Sequence, residues 1–488
     1  MAREVWNTRV GFILAAIGSA VGLGNIWRFS YAAYENGGGV FLIPYFIALL
    51  TAGIPLMILE FGMGSKFRGA APMAFKRAKQ GFESIGWWGV ITSFIITAYY
   101  SVIMGWSLVY LVKSFNLGWG SDTVSFFYDT LLQTSGSPWH FEGFAPSVLA
   151  ALVVVWFLIW IIEKKGVQKG IERANKVFMP LLWILLIILV FRAVTLPGAL
   201  NGIDWYLKPD FSRLTDFGVW QAAYAQAFYS LSLGMAIMIT YSSYLPKKSD
   251  IVNNAFIVSL ADGAFSFTMG FVVFGTLGYM AFAQGVGIVE VVDQGIGLAF
   301  MALPKALSML PGLKVLTSAA FFLSISVAAL SSLISLIEAF ASALMDKFEI
   351  ERVRAVNLTI AICALCSLLY ATKAGIYWLD IVDHFINSYG MIIVGIFETI
   401  AIGWIFGADK IRAWVNNYSD IKVGAWWDLG IKVVLPIVLI YLVYSDTKAN
   451  LAAPYGDYPI SALMAGVGVI AIGMLISVLM PFVKREVE

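Results

Sequence analysis

Charge is scarce in this chain: Asp, Glu, Lys and Arg make up 13% of its 488 residues, where soluble domains carry about 25%. A water-soluble globule is excluded on that ground. Histidine and cysteine are scarcer still. His140 and His384 are the two histidines, and they offer no metal cluster. The two cysteines, Cys363 and Cys366, form a C-x-x-C, a spacing that can be a redox pair. Here it lies in an apolar run at helical spacing, so the thiols read as small packing residues. No serine has the histidine partner that nucleophilic hydrolysis needs, so an enzyme is not expected. Basic residues are scattered among short loops, which excludes a nucleic-acid surface. A cleavable leader is not expected, because the apolar run starting near Val10 is too long and no small-residue cleavage site follows it. Low-complexity tracts, linkers and a soluble domain are also missing.

Apolar residues are what the chain has in quantity: 60% are hydrophobic and mean hydropathy is +0.82. A bilayer-spanning helix needs ~20 mostly apolar residues. Twelve stretches qualify, at 9–34, 40–65, 86–112, 147–163, 172–196, 219–244, 254–283, 317–346, 354–372, 376–405, 426–445 and 459–482. An even number puts both termini on one side. Most of the 32 lysines and arginines fall at the N-terminus and in the loops near 66–79, 164–176, 247–248, 347–354, 410–432 and 484–485. The opposite loops hold only Lys113, Arg192, Lys208, Arg213, Lys305, Lys314, Lys373 and Lys448. The positive-inside rule therefore places both termini in the cytoplasm of a multi-pass cell-membrane protein. The longer outside loops, 113–146, 197–218 and 284–316, contain Trp and Pro and are expected to fold against the core.

Two spans carry interruptions at mid-membrane. The first has Gly18, Gly22 and Gly24 at its centre, beside Ser19 and Asn25; the sixth has Ser230-Leu231-Ser232-Leu233-Gly234. Unwinding frees N–H and C=O groups that lipid cannot satisfy. Paired breaks in corresponding halves are the mark of a secondary transporter's binding site. Spans 1–5 and 6–10 each open with such a helix, and an odd number of spans per repeat inverts the second copy. The expected fold is thus all-α and integral to the membrane: about twelve helices, a 5+5 inverted repeat with helices 1 and 6 broken, and two peripheral helices. The divisions are 1–200, 201–410 and 411–488. Gly22 and Gly24 are no dinucleotide fingerprint, since Trp27 stands where the third glycine belongs and no strand precedes them.

Among the charged residues inside spans, six are candidates for a role: Arg28, Glu60, Asp262, Glu338, Asp383 and Glu398. A carboxylate there costs roughly 2.5–3.5 kcal/mol, so each needs a reason. Glu60 and Glu398 read as acceptors for freed backbone amides. Arg28 and Asp383, near the outer ends of their spans, suit an ion pair that opens and closes. Asp262 suits a coordinated cation. The hydroxyls of Ser230, Ser331 and Ser332 are hard oxygen ligands of the kind sodium prefers. Half-helix N-termini suit a carboxylate. Gly170 and Pro180 bracket the start of span 5 and together permit local unwinding there.

The motifs GSAVGLGNIWRF at 18–29, ENGGG at 35–39, IPY at 43–45, GIPLMILEFGMG at 53–64, YY at 99–100, SLSLGM at 230–235 and IFGADK at 405–410 are those of a known family. From Trp6 to about Lys410 the chain resembles the neurotransmitter:sodium symporters, with the leucine-transporter type of fold. The resemblance implies two sodium ions. One site comprises the Ala20 carbonyl, Asn25, Ser230 and Asp262, with the substrate carboxylate as a further ligand. The other comprises the carbonyls of Gly18, Val21 and Ala328 and the hydroxyls of Ser331 and Ser332. Asp262 departs from the family's usual Asn. The implied amino-acid pocket is Ser19, Ala20, Leu23, Gly24, Ile96, Tyr100, Tyr229, Ser230, Ser232, Met235, Ser332 and Leu336, with Tyr100 and Tyr229 as an aromatic lid. Arg28 with Asp383 forms the outer gate, and Arg3, Trp6, Tyr244 and Asp346 the inner one. An anion would sit by Tyr45, Gln226, Ser230 and Ser266. Asp262, one turn before Ser266, repels chloride, so chloride is not expected to be required. Unwinding between Gly170 and Pro180 would let water reach the inner sodium.

These residues read as a sodium-coupled symporter of hydrophobic L-amino acids, aromatic ones included, working as a monomer or weak homodimer. Symport of small neutral amino acids such as alanine or glycine is one alternative. A non-transporting amino-acid sensor on the same fold is another.

Overall fold

The computed structural model describes residues 3–292 and 295–483. The basic pair at 484–485 and two positions of the 284–316 loop lie outside them. Among the described residues the chain is helical, and its extended pairing is limited to two isolated bridges, Gly38 to Pro209 and Phe144 to Thr372. The principal helices are α1 (Arg9–Ala20), α2 (Gly24–Glu35), α3 (Gly39–Phe67), α4 (Glu83–Ser114), α5 (Pro146–Glu163), α6 (Val167–Val194), α7 (Phe217–Ser230), α8 (Ile237–Ser243), α9 (Ile251–Gln284), α10 (Lys314–Phe348), α11 (Arg352–Ala371), α12 (Gly375–Tyr418), α13 (Ala425–Ala452) and α14 (Ile460–Phe482).

Ten of these are each long and apolar enough to cross a membrane, and α1 with α2 makes an eleventh span, bent by 58°. Neither α7 nor α8 spans alone. They flank the non-helical stretch 231–236 and together cover the sixth expected stretch, 219–244. One boundary differs from the sequence reading. α12 runs for 44 residues, which at 1.5 Å per residue would be ~66 Å, about twice the hydrocarbon core. Gly407, at φ +108°, turns the chain and sets off Ala408–Tyr418, placed in a loop by the sequence, as a separate amphipathic arm. Short helices also occupy the loops, among them Ala71–Ala78, Ala199–Leu207 and Leu298–Met309. Two of the loops expected outside pack on the helices and on each other. The Tyr110 phenol donates to the Phe300 carbonyl at 2.6 Å, and the Trp119 indole N–H to Ser308 at 2.7 Å.

Burial sorts the spans into layers. The most apolar window of α10 is 89% buried, and those of α4 and α3 are 78% and 72%, against 22% for α14. The first three therefore form the centre, with α13 and α14 at the margin. Phe157, Ile187 and Phe191 point outward from α5 and α6, the surface expected of a helix whose solvent is lipid. α6 is wound through both Gly170 and Pro180 in this arrangement. Its start is held by side chains: Glu4 accepts the Val167 N–H at 2.5 Å, and Glu172 is bonded to Asn7, Thr8 and Lys176.

Candidate ion and substrate site

The break between α1 and α2 follows from which groups satisfy its backbone. Val21 leaves the helix with extended backbone (φ −72°, ψ 98°). The Gly22 N–H then donates to Asn25 Oδ1 at 2.7 Å and the Leu23 N–H to Tyr100 Oη at 3.0 Å. Between α7 and α8, Ser232, Gly234 and Ala236 take φ of +55°, +72° and +61°, a region non-glycine residues rarely enter without a functional reason. The Gly234 N–H donates to Glu60 Oε1 at 2.8 Å, and the Ser93 hydroxyl donates to the Met235 carbonyl. Glu60 thus accepts a freed amide, as its sequence position suggested. Glu398 lies beside it, and its Oε1 has no partner among the described residues. The two breaks also hold each other, because the Ser232 hydroxyl donates to the Ser19 carbonyl at 3.0 Å.

Two oxygen clusters form around the breaks. In the first, Asn25 Nδ2 lies 2.9 Å from Ser230 Oγ, 2.6 Å from Asp262 Oδ1 and 2.8 Å from Ser266 Oγ, while the Ser230 hydroxyl donates to Asp262 Oδ2 at 2.7 Å. All four residues are buried. Asn25 turns its amide N–H2 toward the cluster and its Oδ1 toward Gly22, so, unlike the expected site, the oxygens gathered here are those of Ser230, Ser266 and the Asp262 carboxylate, hard ligands of the kind a monovalent cation takes. Ala20, the last residue of α1, lies at the adjoining cavity. In the second cluster, Ser332 Oγ lies 3.5 Å from the Gly18 carbonyl, 3.3 Å from that of Ser19 and 3.2 Å from that of Ala328, and Ser331 donates to the Ala328 carbonyl at 2.9 Å. Val21 caps α1 here, where the helix dipole adds partial negative charge.

A cavity of about 30 Å³ adjoins both clusters. It is lined by Ser19, Ala20, Gly22, Gly24, Asn25, Ile96, Tyr100, Tyr229, Ser230, Ser232, Met235, Ile237, Ser332, Ser335 and Leu336. Eleven of the twelve expected pocket residues are therefore together. Leu23 is the exception, reaching the site through its N–H on Tyr100 instead. The sequence reading left Gly22, Asn25, Ile237 and Ser335 out of the pocket lining, having given Gly22 to the break and Asn25 to a sodium site. Ser335 Oγ lies 2.7 Å from Ser19 Oγ, and its spacing of three and four from Ser332 and Ser331 puts it on the same helix face. That spacing would have found it. Ile96, Met235 and Leu336 make one end apolar; the serines and the broken backbone make the other polar.

The outer pair is arranged differently from expectation. Arg28 and Asp383 form no ion pair within 4 Å. The Arg28 guanidinium instead lies 4.0 Å from the centre of the Tyr229 ring, and Asp383 accepts from Tyr99, not Tyr100, at 2.7 Å. An arginine can lie flat on an aromatic face as readily as it pairs with a carboxylate.

At the opposite end the expected partners meet. Arg3 binds both oxygens of Asp346 at 2.8 Å, donates to Ser243 and lies 4.8 Å from the Tyr244 ring centre. The Trp6 indole donates to the Tyr241 carbonyl at 2.7 Å. Asp346 also accepts the Ala70 N–H at 2.6 Å, and the next residue, Lys347, binds Glu83 at 2.7 Å. A second knot was not anticipated. Arg352 binds Glu163 at 3.1 Å, Glu4 at 3.6 Å and Glu338, which also accepts from Tyr244. Glu163 and Arg352 sit at helix ends, where charge is ordinary, so nothing in the sequence marked them.

At the possible anion site the Tyr45 hydroxyl faces Ser230, Ser266 and Asp262. Tyr45 is fully buried and packs near Gly263, and Gln226 donates weakly to the Gly24 carbonyl at 3.4 Å. Ser266 and Ser230 already serve Asn25 and Asp262.

Comparison with known proteins puts a family to this arrangement. The model of the "Sodium:neurotransmitter symporter family" matches residues 3–137 and 119–486. An uncharacterized sodium-dependent transporter of Methanocaldococcus jannaschii is 46% identical over 99% of this chain and 98% of its own length. The sodium- and chloride-dependent neutral and basic amino acid transporter B(0+) of Homo sapiens is 32% identical over 94% of this chain and 82% of its own. A crystal structure of MhsT in complex with L-phenylalanine superposes with a TM-score of 0.79, at 34% identity, covering 91% of this chain and all of that one. Broken helices with converging oxygens, a match along nearly the whole length and a shared fold lead to one conclusion: the chain belongs to the sodium:neurotransmitter symporter family.

Proposed function

We propose that this protein is a sodium-coupled symporter of hydrophobic L-amino acids, aromatic ones included, and not an enzyme. It works by alternating access between a 1–200 half and an inverted 201–410 half, with 411–488 peripheral. The observation that carries the reading is the cavity between the two breaks, polar at one end and lined by Ile96, Met235 and Leu336 at the other. The polar end holds any α-amino and α-carboxyl group. Freed carbonyls at the end of α1 suit the ammonium, and the positive end of α2 with the Tyr100 hydroxyl suits the carboxylate. The apolar end selects the side chain. No charged residue lines it, so a charged side chain would be buried unpaired at a cost of several kcal/mol. That MhsT was crystallised with L-phenylalanine agrees with this choice.

Sodium enters both oxygen clusters. In the Asn25–Ser230–Asp262 cluster the substrate carboxylate completes the shell, so ion and amino acid bind together or not at all. In the Gly18–Val21–Ala328–Ser331–Ser332 cluster the ion ties α1 to α10 and stabilises the arrangement with Arg3 on Asp346. Asp262 carries the negative charge that chloride supplies elsewhere, and transport proceeds without chloride. Both termini face the cytoplasm of the cell membrane, so the Arg3 end is the inner one. Arg28, Tyr229, Tyr100 and Asp383 close the outer end through the cation–aromatic contact.

The test is a thermal-shift screen of the twenty amino acids on purified protein in sodium and in potassium. Stabilisation by phenylalanine, tryptophan or leucine in sodium alone is expected. Equal stabilisation in both salts would remove the coupling. A screen won by glycine or alanine would favour the small-substrate reading, and one won by lysine or glutamate would overturn the pocket assignment.

A further inference from the structure

Gly11 and Gly18 stand seven residues apart on α1, hence on one face of the helix. Glu172 and Asn175 stand three apart on α6, again on one face. These faces meet. A Cβ on Gly11 would lie 2.3 Å from the Glu172 carboxyl group, and a Cβ on Gly18 would lie 2.3 Å from Asn175 Oδ1. The two missing side chains on α1 make room for two polar ones on α6, and both polar residues are buried.

Asn175 uses half of its amide. Its Nδ2 donates to the Ile171 carbonyl at 3.0 Å, one turn back, while Oδ1 accepts no hydrogen bond among the described residues. A buried acceptor without a donor is costly and calls for a reason. This oxygen is aimed at Gly18, whose carbonyl belongs to the second oxygen cluster and lies 3.5 Å from Ser332 Oγ. One turn nearer the N-terminal end of α6, Glu172 accepts from the Asn7 N–H and the Thr8 hydroxyl at 2.8 Å each and from Lys176 at 2.6 Å. Oxygens therefore follow one another along the α1–α6 seam, from Ser331 and Ser332 past Gly18 to Asn175 and on to Glu172.

We propose that Asn175 Oδ1 is a transient ligand for the sodium ion as it leaves the second cluster, with the Glu172 carboxylate as the inner end of the same path. The proposal rests on the symport reading and adds a residue to it. A neutral amide oxygen is a hard ligand that stabilises a passing ion without trapping it. Asn175 also sits between Gly170 and Pro180, so local unwinding of α6 would carry the oxygen away and hand the ion to water.

The experiment separates path from resting site. Equilibrium binding of radioactive sodium to the purified protein is measured, and then its dissociation after dilution into choline. Both use an Arg3→Ala parent, which lacks the inner latch. A path ligand lowers the barrier in both directions and leaves the equilibrium alone. Asn175→Leu, similar in volume and without oxygen, should keep the half-saturating sodium concentration and slow dissociation about tenfold, the effect of one lost polar contact. Asn175→Asp, of the same shape but charged, should retain sodium more tightly and show whether folding, not oxygen, limits the leucine variant. Parental dissociation rates in both variants would overturn the proposal. So would a tenfold shift of the equilibrium in Asn175→Leu at an unchanged dissociation rate. Absence of saturable sodium binding in the parent would overturn the symport reading as well.

Discussion

Removing Arg3 should open the inner end of this protein by a measurable factor. Its guanidinium makes two 2.8 Å bonds to Asp346 and further bonds to Ser243, and it lies over the Tyr244 ring. Hydrogen bonds to a charged partner are worth about 1.5–3 kcal/mol when shielded, and fully exposed ion pairs about 0–1 kcal/mol. The side chains are 15% and 23% exposed, which places the pair between those limits, at about 2 kcal/mol. Since 1.36 kcal/mol is a factor of ten, Arg3→Ala should raise the inward-open fraction roughly 30-fold. Alkylation of a cysteine introduced at Ala16, buried on α1, reads this directly once Cys363 and Cys366 are replaced by alanine. The labelling rate should rise by that factor, and saturating sodium with substrate should reduce it again. Asp346→Ala should do at least as much, because it also frees the Ala70 N–H. An unchanged labelling rate in Arg3→Ala would show that the contact is decorative and that another element holds the inner end.

Three further outcomes follow from the same geometry. Uptake should be unaffected when gluconate replaces chloride, whereas Asp262→Asn should acquire a chloride requirement; a chloride-dependent unmutated protein would contradict the role given to Asp262. Met235→Phe fills the adaptable end of the cavity and should weaken tryptophan and phenylalanine more than alanine in competition assays, an order whose reversal would refute the placement of the side-chain pocket. Glu60→Ala leaves the Gly234 N–H without its acceptor and should cost about 1–3 kcal/mol, seen as a lowered melting temperature, with Glu60→Gln milder because it retains an oxygen.

Much of this was legible in the sequence because the features concerned are local. Glycines and serines in the middle of an apolar run state that the helix breaks there, and hydroxyls three or four apart state which face they share. Asn25 and Asp262 announced themselves as polar groups that lipid would not tolerate unpaired. What was not legible depends on side-chain choices between distant segments. Arg28 had both a carboxylate and an aromatic ring within reach, and its position along the chain does not say which it takes. Gly170 and Pro180 lower the cost of unwinding, yet Glu4 and Glu172 hold the segment wound, and those partners come from elsewhere in the fold. Glu163 and Arg352 gained their importance only when three carboxylates arrived around one guanidinium.

Asp346 and Lys347 are neighbours in sequence, and each is anchored away from Arg3: one by the Ala70 N–H, the other by Glu83, which Lys76 holds as well. The end of α10 is thereby moored to the α3–α4 turn on two lines. The other half of the inner latch, the N-terminal strap, is tied by single hydrogen bonds that can break in turn: Glu4 to the Val167 N–H, the Trp6 indole to the Tyr241 carbonyl, and Asn7 and Thr8 to Glu172. Opening is then a one-sided event, a short peptide swinging off a fixed post. Its rate would be set by the strap between Arg3 and Arg9, and changes of length or stiffness in those few residues should retime the transport cycle while leaving the ion and substrate clusters as they are.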